Sequence, residues 1–357
     1  MFKILRNWID RYLGNEEAVL FAMLLIAAVV IVWSLGSVLT PVFAGIVIAF
    51  LLQGLVDRLK DWGMPHWASV TVTTLLLVLV LVITLLFVLP VIWQQSTKLI
   101  GEVPAILAEG QEQLMLLPQK YPQLISEVQI NQMIELAGHE IGQLGQSLVS
   151  MSVASLPMLA TLLIYLILVP ILVFFFLKDK DQILGWLGNM LPAERPMMRQ
   201  VWHEMNAQVA NYVRGKVIEI LVVGVVSCIA FALLGLKYAL LMGLLVGLSV
   251  VIPYIGAALV TIPVMVVGFW QWGMGNEFYW LFVVYTVIQA LDGNVLVPLL
   301  FSEAVNLHPV AIILAVLVFG GLWGFWGVFF AIPLATLFKA IASAWPVAMH
   351  KLEASVD

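Results

Sequence analysis

Tyr285, Gln289 and Asp292 are the residues of this sequence whose types and spacing best suit chemistry inside an apolar segment. They follow one another at i, i+4 and i+7, so they share one face of a helix. The Asp292 carboxylate, flanked by Gly293 and Asn294, can take a proton or a cation, or bind a polar solute. The alternative is a structural role, in which Asp292 caps a neighbouring broken helix.

Three further ionisable residues lie in or beside apolar segments. Glu303 and His308 precede Pro309, which predicts either a titrating pair at a gate or an exposed connector. Glu219 follows Lys216 by three residues, which predicts an ion pair at the inner interface or proton coupling within the membrane. The candidates for a transport path are therefore Tyr285, Gln289, Asp292, Asn294, Glu303, His308 and Glu219.

Prolines and glycines interrupt the apolar segments around these residues. The pattern Gly320-x-x-x-Gly324 lets helices pack closely, and the alternative is that the glycines free backbone carbonyls to line a solute path. Breaks at membrane depth are tolerated where the backbone faces protein or water. The candidates for helix breaks or gates are Pro253, Tyr254, Gly256, Pro298, Pro309, Gly320, Gly321, Gly324, Gly327 and Pro333.

The composition indicates the class of protein that must position these residues. Of 357 residues, 63% are hydrophobic and 10% are charged, and the mean hydropathy is +1.07. Soluble domains are about half apolar and about a quarter charged. We therefore predict an all-α polytopic membrane protein with about eight transmembrane helices, with re-entrant or broken helices expected in its C-terminal third.

Several function classes lack their residues. The sequence contains no G-x-x-x-x-G-K-[ST], H-E-x-x-H or G-x-S-x-G motif, and no basic face studded with aromatic residues. The single cysteine, Cys228, allows no intrachain disulfide, and we interpret it as a small apolar residue that packs within a helix bundle. We predict that the protein is not an enzyme and has no cofactor, no metal and no nucleic-acid partner.

Alternating apolar and polar stretches divide the chain into six parts. The first apolar stretch contains predicted spans over 18–35, 41–56 and 68–93, with a turn over 36–40. The parts are transmembrane helices 1–3 in 1–93, an extracytoplasmic amphipathic helical segment in 94–155, transmembrane helix 4 in 156–177, a cytoplasmic amphipathic helical segment in 178–216, a C-terminal transmembrane bundle with broken helices in 217–345, and a cytoplasmic tail in 346–357.

Two pairs of short apolar halves occupy the C-terminal bundle, over 239–272 and 310–345. Halves of about 14 to 18 residues are short for a bilayer that needs about 20, so each pair predicts either two spans or one re-entrant hairpin. An Ile-Pro step follows a Gly-rich turn in each pair, which resembles the internal repeat of carriers.

The distribution of lysine and arginine predicts the orientation. With the N-terminus inside, only Lys98, Lys120 and Lys237 fall on the outside, and 178–216 places six basic residues inside. Both termini are therefore expected in the cytoplasm.

The sequence resembles the autoinducer-2 exporter-like family of permeases, and it is most similar to the PerM-type branch. The motifs that carry the resemblance cover nearly the whole chain. They are FFFLKDKD at 174–181, NYVRGK at 211–216, IPYIGA at 252–257, LDGNVLVP at 291–298, NLHP at 306–309, and the glycine cluster 320–327 followed by AIPLA at 331–335. The resemblance implies a bacterial inner-membrane permease of about eight spans that works as a homo-oligomer. Some members of that family are assigned export of autoinducer-2, and others extrusion of sodium or lithium against protons.

Two functions follow as hypotheses. The first is a permease that moves a small polar solute or monovalent cation through the lipid bilayer by a secondary or facilitated mechanism, without ATP. The alternative is a membrane scaffold or assembly protein with no transport activity, which would use the polar segments 94–155 and 178–216 to bind partners.

Overall fold

The computed structural model describes residues 16–115, 155–192, 195–253, 255–301 and 307–353, and these residues form helices joined by short connections. No strand occurs in this part of the chain. The helices are α1 (Glu16–Asp61), α2 (His66–Ile83), α3 (Leu89–Met115), α4 (Ser155–Lys178), α5 (Lys180–Asn189), α6 (Pro196–Leu233), α7 (Ala239–Ser249), α8 (Ile255–Trp272), α9 (Asn276–Leu291), α10 (Val297–Phe301), α11 (Pro309–Phe329) and α12 (Ala331–Glu353).

Eight helical segments of the described residues are long and apolar enough to cross a membrane, which confirms the predicted polytopic all-α fold. The most apolar of them, His66–Ile106, buries none of the side chains of its most apolar window. Surfaces of this kind are stable only against hydrocarbon or another apolar surface, because in water they would drive aggregation. The protein is therefore a multi-pass membrane protein.

Two short π-helical turns interrupt the long helices, at Thr84–Val88 and Asp292–Leu296. Each ends two residues before a proline, Pro90 or Pro298. Proline has no N–H to donate to the carbonyl four residues earlier, so the regular helical ladder cannot continue unchanged into it. Single π-turns inside α-helices are frequent at functional sites, and the second of these carries Asp292.

Helix α1 is bent. Glu17 accepts a hydrogen bond from the Met198 N–H at 2.8 Å, and the Phe50 ring centroid lies 4.9 Å from the Arg214 guanidinium. Met198 and Arg214 are about 24 Å apart along α6. Their partners, Glu17 and Phe50, would be about 50 Å apart if α1 were straight. Because two side-chain contacts do not fully span that difference, α1 bends toward α6.

The bend replaces the turn predicted over 36–40, which is helical rather than an open loop. Pro41 lies inside α1 and accounts for a bend, since it removes one backbone hydrogen bond and clashes with the preceding turn. The Thr40 hydroxyl donates to the Gly36 carbonyl at 3.2 Å. Keeping the backbone helical satisfies its polar groups in hydrocarbon, which a loop would leave unpaired.

Helices α7 and α8 form a hairpin whose two ends meet. The Lys237 N–H donates to the Gln271 side-chain oxygen at 2.6 Å, and the Gln271 amide donates to the Gly235 carbonyl at 2.8 Å. Helix α7 has 11 residues and is about 16 Å long, too short for a hydrocarbon core of about 30 Å. This length favours the re-entrant reading of 239–272 over two full crossings.

Close backbone packing seats the hairpin against α6. A Cβ on Gly247 would lie 2.6 Å from the Gly224 Cα, so α7 needs glycine where it crosses α6. At the tip, a Cβ on Gly256 would collide with the Ser249 carbonyl oxygen. Gly256 is thus required for the tight reversal between α7 and α8.

A second hairpin is formed by α11 and α12 and reverses at Gly324, which has φ 59° and lies inside the helical range of α11. Gly327 lies against the Phe319 carbonyl and Gly320 lies beside Val328, so the two arms run antiparallel around this residue. The backbone conformation at Gly324 is one that other residues rarely adopt. The predicted turn in the Gly-aromatic segment is therefore observed.

Candidate functional site

A cavity of about 600 Å³ lies where α6, the tip of the α7–α8 hairpin, the π-turn after α9 and the α11–α12 hairpin meet. Its wall is mostly apolar, as is usual for pockets that bind small molecules. The polar side chains on the wall belong to Tyr212, Lys216, Glu219, Gln289 and Asp292. We call this the central cavity.

Lys216 and Glu219 form a buried ion pair on α6. The Lys216 Nζ lies 2.6 Å from a Glu219 carboxylate oxygen, and both side chains are at most 5% exposed. The same Nζ donates to the Val250 carbonyl at 2.9 Å and lies 5.1 Å from the Phe301 ring centroid. Lys216 therefore connects α6 to the hairpin tip as well as to Glu219, which fits the ion-pair prediction but in a buried position.

Asp292 supplies a second carboxylate to the cavity wall. It is half-buried, and its Oδ1 atom is buried with no hydrogen-bond partner among the described residues. Buried polar atoms without a partner are uncommon, because they lose hydration without compensation. An unpartnered acceptor on a cavity wall is what a binding site for a cation, a proton or a hydrogen-bond donor requires.

A chain of hydrogen bonds orients Gln289. The Thr261 hydroxyl lies 2.7 Å from the Ala257 carbonyl oxygen and 2.8 Å from the Tyr285 hydroxyl, and either hydroxyl can donate to the other. Tyr285 in turn accepts from the Gln289 amide at 3.0 Å. Since the amide nitrogen faces Tyr285, the carbonyl oxygen of Gln289 remains for the cavity. Tyr285 is buried behind this residue and orients it from there.

Other predicted path residues lie elsewhere. Asn294 is exposed and donates to the Ala290 carbonyl at 2.8 Å. His308 is exposed and caps α11, with its Nδ1 accepting from the Val310 N–H at 3.3 Å. Glu303 lies outside the described residues. The structure thus gathers Glu219, Gln289 and Asp292 at one cavity and places Asn294 and His308 in local backbone contacts.

The candidate breaks fall into three groups. Pro253 and Pro298 line the central cavity, and Gly256 supports the hairpin tip beside Pro253. Pro309 starts α11, and Pro333 lies in the first turn of α12, where a missing N–H costs little. Tyr254 lies outside the described residues. The remaining candidates, Gly320, Gly321, Gly324 and Gly327, belong to the reversal between α11 and α12.

Two of the polar side chains on the cavity wall, Lys216 and Tyr212, are not among the predicted path residues. In the sequence, Lys216 is the predicted partner of Glu219, and Tyr212 lies in the predicted amphipathic segment 178–216. The sequence does contain a signal for Lys216: it forms an ionisable i, i+3 pair with Glu219 at the start of a long apolar run. Such a pair is costly in a membrane unless it faces a polar interior.

Two helical hairpins, an interrupted helix and a polar cavity between them place the chain among multi-pass membrane proteins with broken helices, an architecture that carriers use. Comparison with known sequences gives the family. Residues 20–347 match the family described as AI-2E family transporter. The chain belongs to the AI-2E transporter family, which confirms the resemblance seen in its motifs.

Individual relatives agree along nearly the full length. The protein PerM of Escherichia coli strain K12, which is named as a permease, is 47% identical over 350 residues, covering 97% of this chain and 98% of PerM. The AI-2 transport protein TqsA of the same organism is 22% identical over 307 residues, covering 85% of each chain. The family and these names indicate a transporter or permease.

Proposed function

We propose that this protein is a secondary permease that carries a small polar solute or a monovalent cation through the central cavity. The observation that carries the proposal is the unpartnered, buried Asp292 Oδ1 on the wall of a cavity of about 600 Å³. A carboxylate retained inside an apolar bundle is costly unless it has a ligand to bind.

The remaining polar groups complete the binding site. Lys216 is already bonded to Glu219 and Val250, so the acceptors left for a solute are Asp292 and the carbonyl oxygen of Gln289. Two carboxylates and one ammonium leave the wall with a formal excess of one negative charge. This charge balance supports a solute that carries a positive charge or donates hydrogen bonds, moved by an ion gradient or by its own concentration difference.

The contact between Lys216 and the hairpin tip supports a mechanism of alternating access in which the hairpin moves. Val250 lies at the tip of the α7–α8 hairpin, so a shift of this hairpin breaks the 2.9 Å hydrogen bond and changes one wall of the cavity. Carriers of this architecture move one repeat or hairpin against a fixed remainder. Motion of the α7–α8 hairpin against α6 is the corresponding step proposed here.

We place the protein in the bacterial inner membrane, as a homo-oligomer with both termini in the cytoplasm. Two contacts support the orientation. Glu17 bonds to Met198, and the His66 Nε2 lies 3.2 Å from the Lys178 carbonyl oxygen, so the start of α1 and the start of α2 both approach the segment 178–216. This segment carries six basic residues, and such residues concentrate on the cytoplasmic side.

A flux screen in liposomes tests the proposed function. The purified chain is reconstituted, and entry of ²²Na⁺ and of autoinducer-2 is followed under imposed proton and sodium gradients, with an internal pH dye as a third readout. We expect saturable flux of at least one solute above that of protein-free vesicles. Absence of flux for every solute and gradient, with folded protein in the vesicles, would leave transport by this chain without support.

A further inference from the structure

Two polar side chains of α3 hold the end of the α7–α8 hairpin that lies away from the central cavity. Gln95 accepts a hydrogen bond from the Leu241 N–H at 2.9 Å, and the Glu102 carboxylate accepts one from the Tyr238 hydroxyl. Gln95 and Glu102 are seven residues apart on α3, so they share one face of the helix. We call this pair of contacts the α3 latch.

Each contact stabilises a part of the hairpin that lacks support from its own helix. Leu241 lies in the first turn of α7, where N–H groups have no partner within their own helix. Gln95 provides that partner. Tyr238 has φ 62° and is the one non-glycine residue with positive φ in the described part of the chain. This conformation is strained for a bulky side chain, and the bond to Glu102 holds Tyr238 in place.

The Tyr238 hydroxyl keeps its proton at ordinary pH. Burial, then the hydrogen bond and the negative charge of Glu102, raise the pKa of Tyr238 to about 12. Because the pKa is raised, the bond is fully present below the usual tyrosine pKa and is lost as pH rises through about 12. Lys237, the neighbouring charge, is directed to the Trp270 ring at 4.1 Å. The latch is therefore closed at neutral and moderately alkaline pH.

Apolar contacts accompany the polar ones. Ile92 and Leu99 of α3 pack against the hydrophobic core that α6, α7, α8 and α9 share. The chain just before α3 contains the π-helical turn Thr84–Val88, and π-turns inside helices are frequent at functional sites. Helix α3 thus follows an irregular turn and packs on the hairpin through a defined apolar surface.

The opposite end of the hairpin borders the central cavity. Val250 and Ala257 line the cavity on the two sides of the hairpin tip, and Val250 is bonded to Lys216. The hairpin is therefore held at its tip by Lys216 and at its base by the α3 latch. Removing the contact at the base leaves the hairpin its contacts near the cavity, which are the Lys216–Val250 bond and the bond between Thr261 of α8 and Tyr285 of α9.

We propose that Gln95 and Glu102 of α3 are a latch that keeps the α7–α8 hairpin seated against the central cavity, and that releasing it opens the cavity. This control of access goes beyond the proposed transport activity and does not depend on the identity of the solute.

The latch can be tested with the full chain in lipid nanodiscs, in a Cys228→Ser background. Nitroxide labels at Trp93→Cys on α3 and Met274→Cys after α8, both at exposed positions, report the distance across the latch. Separately, Ala257→Cys in the cavity wall reports access through its rate of reaction with a charged maleimide. Both readouts are compared with and without the pair Gln95→Ala and Glu102→Gln.

We expect the latch variant to give a longer or broader distance distribution and a reaction rate at Ala257→Cys raised on the order of tenfold, the scale of one hydrogen bond to a charged group. The matched control, Gln94→Ala with Lys98→Gln, changes exposed residues of the same helix and should alter neither readout. Unchanged access at Ala257→Cys would overturn the proposal, even if α3 itself moved.

A milder variant guards against misfolding of the double variant. Tyr238→Phe removes a single hydroxyl and keeps the ring, and it should raise the reaction rate at Ala257→Cys in the same direction. If Tyr238→Phe is folded and its rate equals that of the parent, Glu102 does not restrain the hairpin and the latch is rejected.

Discussion

The Asp292→Asn variant is expected to lose transport while the folded protein remains as abundant as the parent. Asparagine has the same shape as aspartate but cannot carry the charge or take up a proton, and it replaces the unpartnered acceptor on the cavity wall. A hydrogen bond or ion contact to a charged group is worth about 1.5–3 kcal/mol, so the flux should fall by about 10- to 100-fold. The measurement is initial flux into proteoliposomes at matched protein content.

Asn294→Ala is the matched control for this variant. Asn294 lies in the same π-helical turn as Asp292 but is exposed and bonded to the Ala290 carbonyl. Its replacement should leave flux near the parental value. Parental flux through Asp292→Asn would remove Asp292 from the mechanism, and equal losses in both variants would point to damage of the π-turn instead.

Lys216→Met is expected to be the most destabilising single change at the site. It leaves the Glu219 carboxylate in a buried position, 2% exposed, without the ammonium group 2.6 Å away. Breaking a buried ion pair from one side costs about 3–5 kcal/mol, because one charge stays buried and uncompensated. The apparent free energy of unfolding, measured by SDS titration in mixed micelles, should fall by this amount.

The double variant Lys216→Met with Glu219→Leu separates stability from function. Removing both charges together should recover most of the lost free energy of unfolding, since apolar replacement of a buried pair is often neutral. Flux should remain low, because the polar wall is gone. Lys98→Met, at an exposed position on α3, is the control for loss of a lysine. Parental stability of Lys216→Met would show that Glu219 has water or another partner in the membrane.

Local information in the sequence was sufficient for much of the fold. Apolar stretches of bilayer length predict membrane helices directly, because hydrocarbon requires every backbone group to be satisfied within the segment. The Gly-aromatic segment predicted a turn, and the structure has one at Gly324 inside α11, where φ is positive and glycine is the residue that adopts it readily. The prediction of a turn over 36–40 is wrong, because a helix that continues with a bend at Pro41 satisfies more backbone hydrogen-bonding groups than a loop does.

The site was predicted only in part because its geometry is non-local. The face shared by Gln289 and Asp292 follows from helical spacing, and both residues do line the central cavity. Spacing within one helix does not reveal that Lys216 on α6 lies opposite this face, or that the α7–α8 tip closes it. For the same reason, Asn294 and Asp292 look alike in sequence although one bonds to its own backbone and the other faces the cavity.

The central cavity as a solvated route is tested most directly by water access to single cysteines in the Cys228→Ser background. Gly293 lines the cavity, and a Cβ added there meets no other atom within 4 Å, so Gly293→Cys is the test position. Leu299, in the same helical region, is 74% exposed to the apolar surroundings, so Leu299→Cys is the control. In lipid vesicles, a charged thiosulfonate should react quickly with Gly293→Cys and slowly with Leu299→Cys, and Asp292→Asn should leave that contrast intact. A Gly293→Cys thiol as unreactive as that of Leu299→Cys from both sides of the membrane would contradict a solvated cavity.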